Sequence, residues 1–175
     1  MSWDWEASSD VDESIIDQGL AAVRRMWDIG MAHRDIKPAN LLVRGGDLFL
    51  IDSAFAEVRP SPWRQAVDLA NMMLVLALRT DAERVYARAR RQFSDEEIAE
   101  AFAATRGLTM PSQLRRMLRR QGRDLHADFL RLLPFQLPPV HIQRWTWRRA
   151  GLTVCTVAAA AVAAVVTVGL IGSPL

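Results

Sequence analysis

A mainly α-helical fold with one small β-hairpin, followed by a membrane-spanning helix, is what this chain of 175 residues predicts. Three observations carry that expectation. Apolar residues recur at helical spacing through most of residues 13–133. One stretch, Leu41 to Ile51, instead reads as strand, turn, strand around Gly45-Gly46. Ala150 to Ile171 then runs for twenty-two residues without a charge.

The elements follow in order. Residues 1–12 form a polar lead that carries Trp3 and Trp5. Ser14 to Asp28 reads as a helix, because Ile15, Ile16, Leu20, Val23, Met26 and Trp27 fall on one face, and Gly30 terminates it. Pro60-Ser61-Pro62 breaks the chain after the hairpin. Trp63 to Leu78 is apolar nearly all round, the signature of a buried helix, with Asp68 set inside it. Asp81 to Phe93, rich in Arg and Ala, gives a further helix. Ser94 and Glu97 have the spacing of a capping box and open a helix that runs to Arg106 and stops at Gly107. Pro111 opens another, with Leu114, Met117 and Leu118 on one face and arginines on the others. Leu125 to Leu133 is the last short helix before a linker, residues 134–149, that holds Pro134, Pro138 and Pro139.

The uncharged run, residues 150–171, would span about 33 Å as a helix, enough for a bilayer core. Arg144, Arg148 and Arg149 precede it together with Trp145 and Trp147. Arginines mark the cytoplasmic end of a span and tryptophans settle at the interface. The expectation is a single-pass protein of the cytoplasmic membrane, its folded part on the cytoplasmic side, with residues 172–175 as a short tail. The lipid bilayer is thus an expected partner.

Charge and cysteine content narrow the field. The net charge of +2 hides an uneven distribution: residues 1–20 carry six acids and no base, whereas residues 79–149 carry fifteen arginines against eight acids. A basic face of this kind suits an acidic substrate, a nucleic acid or an anionic lipid, or is simply solvated. No aromatic residues interleave with the cluster Arg115, Arg116, Arg119 and Arg120, which makes nucleic acid the weakest of these expectations. A single cysteine, Cys155, excludes an internal disulfide, and His33, His126 and His141 are too scattered for a zinc site. The acidic, polar N-terminus does not read as a secretory signal.

The densest chemistry lies at His33-Arg34-Asp35-Ile36-Lys37-Pro38-Ala39-Asn40, with Asp52 twelve residues further on at the end of Leu48-Phe49-Leu50-Ile51. Transfer of a phosphoryl group needs a positioned acceptor hydroxyl, metal ions on the phosphates and a cation near the moving group. Those residue types are present here at close spacing. The hairpin would carry Asn40 at one end and Asp52 at the other.

The run resembles the catalytic loop of the protein kinases, His-Arg-Asp followed by Asn five residues after the Asp. Leu50-Ile51-Asp52-Ser53-Ala54-Phe55-Ala56 resembles the metal-binding segment of the same family, with Ser53-Ala54 in place of Phe-Gly. The short stretch between Asp52 and the next helix, without Ala-Pro-Glu, is similar to compact atypical bacterial kinases of the RIO or lipopolysaccharide-kinase type. The resemblance implies ATP and Mg²⁺ as cofactors. It implies Asp35 as the group that takes the acceptor's proton, Lys37 as the contact to the γ-phosphate, and Asn40 and Asp52 as the metal ligands. His33 and Arg34 would be framework residues, His33 supporting the metal-binding segment and Arg34 held in a salt bridge. Asp68 would hold the backbone of the catalytic loop, the alternative being an exposed carboxylate at a helix start.

The resemblance covers the large lobe of such a kinase. No Gly-x-Gly-x-x-Gly occurs, and Lys37 is the only lysine, so the elements that grip the nucleotide from above are not in this sequence. Two expectations follow. One is a membrane-anchored kinase, acting on a hydroxyl of a protein, lipid, sugar or small molecule, whose small lobe comes from a partner or from a longer chain. The other is a catalytically inactive, pseudokinase-like interaction module.

Overall fold

The computed structural model describes residues 12–105 and 110–134. The lead before Asp12, the linker beyond Pro134, the expected membrane helix at 150–171 and the tail lie outside the described residues. Among the described residues, no helix is long and apolar enough to cross a membrane.

The fold is mainly helical, as the periodicity predicts. Helix α1 (Glu13–Asp28) leads to strand β1 (Met31–Ala32), then the hairpin of β2 (Leu41–Arg44) and β3 (Asp47–Leu50), then β4 (Glu57–Val58). Five helices follow: α2 (Pro62–Ala77), α3 (Ala82–Ala89), α4 (Asp95–Ala104), α5 (Ser112–Gln121) and α6 (Leu125–Leu132). Short 3₁₀ turns occupy Pro38–Asn40 and Ser53–Phe55.

Helix α2 is the centre of the core. Every residue from Ala66 to Ala77 is buried, which is why its sequence lacks the polar stripe of a surface helix. Pro62 sits in its first turn, where a missing N–H costs nothing. α1, α3, α4 and α6 pack around it. Gly19 brings α1 close: a Cβ there would lie 3.1 Å from Met72 Sδ and 3.3 Å from a Leu76 methyl. At the far side, the rings of Phe102 (α4) and Phe129 (α6) stack with centroids 4.7 Å apart.

Polar contacts tie the outer helices to the centre. Ser94 and Glu97 form the capping box at the start of α4, each side chain accepting from the other's backbone N–H. Arg24 of α1 donates to Glu97 at 2.9 Å and to the Gln92 carbonyl at 2.7 Å, and lies over the Phe93 ring. Arg88 of α3 pairs with Asp17 and Glu13 of α1. Trp27 packs edge-on against Phe93 and donates its indole N–H to the Gln65 carbonyl.

Two features depart from the sequence expectation. α3 ends at Ala89, four residues before Phe93, in a tight turn whose backbone N–H groups of Arg91 and Gln92 bond back to Arg88 and Ala89. The β structure is also more than one hairpin. β2 and β3 pair as expected, Leu41 opposite Leu50 and Arg44 opposite Asp47. A second antiparallel pair joins β1 to β4, Met31 opposite Val58 and Ala32 opposite Glu57. Strands of two residues are too short to show an alternating pattern.

Candidate functional site

The β1–β4 pair closes a neck, and residues 33–56 loop out from it. His33, Arg34, Asp35, Lys37, Asn40 and Asp52 all belong to that loop. Ile36 and Leu41 seat it in the core, and Asp68 on α2 fastens its start. One Asp68 carboxylate oxygen accepts the backbone N–H of His33 at 2.5 Å, and the two oxygens accept that of Arg34 at 2.9 and 3.2 Å. Asp68 is 1 % exposed, so it is not a helix-start carboxylate in water. Burial pushes its carboxyl up to about 6, against the pull of the two N–H donors.

The second fastening is His33. Its ring Nε2 lies 3.2 Å from the carbonyl of Ile51, which accepts from the Nε2–H tautomer. Burial lowers the imidazole's basicity, favouring the neutral ring. His33 thus supports the residue immediately before Asp52. The third is Arg34, whose guanidinium pairs with Glu57 of β4 at 3.4 Å; Arg64 of α2 pairs with the same carboxylate. The sequence marks Arg34 as a salt-bridge former but gives no sign of Glu57 as its partner.

Within the loop, three side chains meet. The Lys37 ammonium lies 2.5 Å from an Asp35 carboxylate oxygen. The Asn40 carboxamide donates to the Asp35 carbonyl at 2.8 Å and to the same carboxylate oxygen at 3.1 Å. The 3₁₀ turn at Pro38–Asn40 produces this convergence, closed by the Asn40 N–H bonding to the Lys37 carbonyl at 2.9 Å. Because Asn40 uses its NH₂ on Asp35, its carbonyl oxygen is left to act as a ligand.

Asp52 arrives from the other strand. The Ile51 N–H donates to the Asn40 carbonyl at 2.9 Å, extending the hairpin by one rung and setting Asp52 just past it. The Asp52 side chain is exposed, and its backbone is left-handed, φ 61° and ψ 65°. Arg34 is also left-handed, at φ 69°. Such a conformation in a non-glycine residue costs on the order of 1–3 kcal/mol and persists where the surroundings enforce it. At Arg34 the enforcing contact is Asp68; at Asp52 it is the rung before and the 3₁₀ turn after.

For Mg²⁺, which keeps several waters and substrate phosphates among its ligands, Asn40 would offer one amide oxygen and Asp52 one carboxylate oxygen. Among the described residues, no group of three or more His, Cys, Asp or Glu side chains is gathered as for a metal held wholly by protein. An open concavity of about 610 Å³ takes in Met26, Ile29, His33, Phe49, Leu50 and Ser53. Of its lining, Ile29 and Phe49 are exposed; Phe55 and Val58 are exposed as well.

Comparison of the chain with protein-family models, with curated proteins and with solved structures finds no match.

Proposed function

We propose that this chain carries the acceptor side of an ATP-dependent phosphotransfer site, anchored to a membrane by residues 150–171. The observation that carries the reading is the Asp35–Lys37–Asn40 cluster on a loop fastened to the core by Asp68. The acceptor hydroxyl would lie against Asp35, which takes its proton as the hydroxyl oxygen bonds to the γ-phosphorus. The bond from that phosphorus to the β–γ bridging oxygen breaks, and ADP leaves. Lys37, freed from Asp35 as the proton arrives, would meet the charge on the transferred group. Asn40 and Asp52 would hold Mg²⁺, which neutralises phosphate charge when bound. A partner lobe would supply the other wall of the nucleotide site.

The test is calorimetric titration of the full chain with ATP, with and without Mg²⁺, beside Asp52→Asn. Magnesium-dependent binding that Asp52→Asn removes is the expected result. Binding that is absent, or indifferent to the substitution, overturns the enzymatic reading.

A second reading is favoured by the exposed apolar side chains in and next to the loop, Ile29, Phe49, Phe55 and Val58. On that reading the chain is a pseudokinase-like module that binds partners and transfers nothing. Partner binding that survives Asp35→Asn and Asp52→Asn together, without nucleotide binding by the native chain, would support it.

A further inference from the structure

Several arginines of this fold have an acid within reach. Arg24, Arg34, Arg64, Arg88 and Arg90 each form an ion pair, with Glu97, Glu57, Glu57, Asp17 and Asp95. On helix α5, arginines outside such pairs stand together. Arg116, Arg119 and Arg120 are exposed, and among the described residues none of them meets an acid. At 100° per residue these three positions fall within about 100° of arc on one face. Arg123, one residue past the Gly122 turn, is exposed as well. The nearest acid in sequence, Asp124, is used to cap α6, accepting the Ala127 N–H at 3.0 Å.

The opposite face of α5 is already occupied. Leu114 is buried, and Met117 and Leu118 pack against the core. The helix therefore has no apolar face left to insert into another body, and its contact must be electrostatic. Two arginines in a last helical turn complement the helix dipole. That accounts for Arg119 and Arg120 but not for Arg116 or Arg123. Beside the stripe, a concavity of about 360 Å³ is lined by Arg115, Arg119, Arg123 and His126, with one acid, Asp124, beside them. It offers room for one phosphate-bearing headgroup.

The start of α5 touches the candidate site. Gln113 accepts the backbone N–H of Ala39 at 3.3 Å, within the Pro38–Asn40 turn. Whatever the stripe binds is therefore held next to the acceptor-side loop.

We propose that the arginine stripe of α5 docks on anionic phospholipid headgroups and so fixes how the candidate site faces the bilayer. The inference rests on the reading of residues 150–171 as a membrane span. Two features of the chain select a lipid surface over other anions. The uncharged run is preceded by three more arginines, and a tether of this length keeps the stripe near a bilayer. No aromatic residue stands between the arginines of α5 to stack on bases. Near an anionic surface each arginine strengthens attachment roughly fivefold.

The full chain, reconstituted in nanodiscs, is modified with phenylglyoxal, and the labelled arginines are read by mass spectrometry. Discs of phosphatidylcholine alone are compared with discs containing about one-third phosphatidylglycerol. Reactivity of Arg116, Arg119, Arg120 and Arg123 is expected to fall at least about threefold in the anionic discs and to recover in high salt. Arg44, exposed on the hairpin, serves as the unchanged reference. Equal reactivity in both discs overturns the proposal, as does protection by soluble heparin without protection by anionic discs. Extraction by alkaline carbonate reads the span separately. If the chain is extracted, the span reading fails, and the stripe is read by flotation with added vesicles. Flotation with anionic vesicles only, lost on combining R116Q, R119Q and R120Q, sustains the docking; flotation with neither or with both vesicle types overturns it. Circular dichroism of the combined variant is expected to match that of the native chain, because the three side chains are exposed.

Discussion

The carboxylate of Asp68 accepts the backbone N–H of His33 at 2.5 Å, across thirty-five residues of chain. This contact makes the loop an extension of the buried helix rather than a free segment. Replacing Asp68 by Ala leaves two backbone donors, those of His33 and Arg34, without their acceptor in a buried place. The expected cost is about 2–4 kcal/mol, read as a loss in urea midpoint.

The same residue sets a pH dependence with a definite sign. Its carboxyl is raised to about 6, above the unfolded value near 3.8, so the folded chain holds the proton more tightly. Between those values the native state binds more protons than the unfolded one, and Asp68's contribution to stability falls as pH rises from about 4 to about 6. The effect is on the order of 2–3 kcal/mol. Thermal unfolding of the native chain and of Asp68→Asn should therefore diverge in slope across that window. Parallel curves would show that Asp68 titrates as it does in water.

Gly19 lies where α1 crosses α2, with Met72 Sδ and a Leu76 methyl at contact distance from any added carbon. Gly19→Val forces three more carbons into a closed space and is expected to destabilise by about 1–3 kcal/mol despite the loss of a helical glycine. A melting temperature equal to or above that of the native chain would contradict the close approach.

Asn71, one turn beyond Asp68, is wholly buried, and neither its amide nitrogen nor its oxygen has a hydrogen-bond partner among the described residues. Asn71→Leu removes that desolvation and is expected to stabilise by about 1–2 kcal/mol. A loss of stability would mean that the carboxamide is satisfied, for example by an enclosed water.

Ser94→Ala removes one arm of the capping box on α4 and should cost about 1 kcal/mol, with Ser94→Asp restoring most of it. Chemical denaturation of the three chains checks this. Unchanged stability in the alanine variant would make the cap redundant.

How far the sequence reveals this fold depends on the length of each element. α1 and α2 are legible to within a residue or so, because sixteen residues repeat the helical period more than four times. The β2–β3 hairpin is legible from its paired glycines, Gly45 and Gly46, both at positive φ. The β1–β4 pair is not, because its partners are far apart in sequence and each strand has only two residues. At the site, Asp35, Lys37 and Asn40 are adjacent in sequence, and one 3₁₀ turn brings them together. The apolar helix around Asp68 marks it as buried, but its role as the loop's anchor comes only from the resemblance. Glu57 is invisible because its pairing with Arg34 depends on a neck that sequence period does not predict.

The neck has a consequence for how this site can be lost. Every side chain assigned to the chemistry lies between Ala32 and Glu57, the two residues that β1 and β4 place opposite each other. A break there is expected to loosen them together, with Ile36 and Leu41 as the remaining hold on the core. Amide hydrogens of residues 33–56 should therefore exchange as a block. Damage at Gly30, whose positive φ and carbonyl bond to Arg59 N–H prepare the crossing, would present as a defect of the whole site, although nothing at Gly30 touches it. The loop behaves as a cassette, inherited or forfeited in one piece.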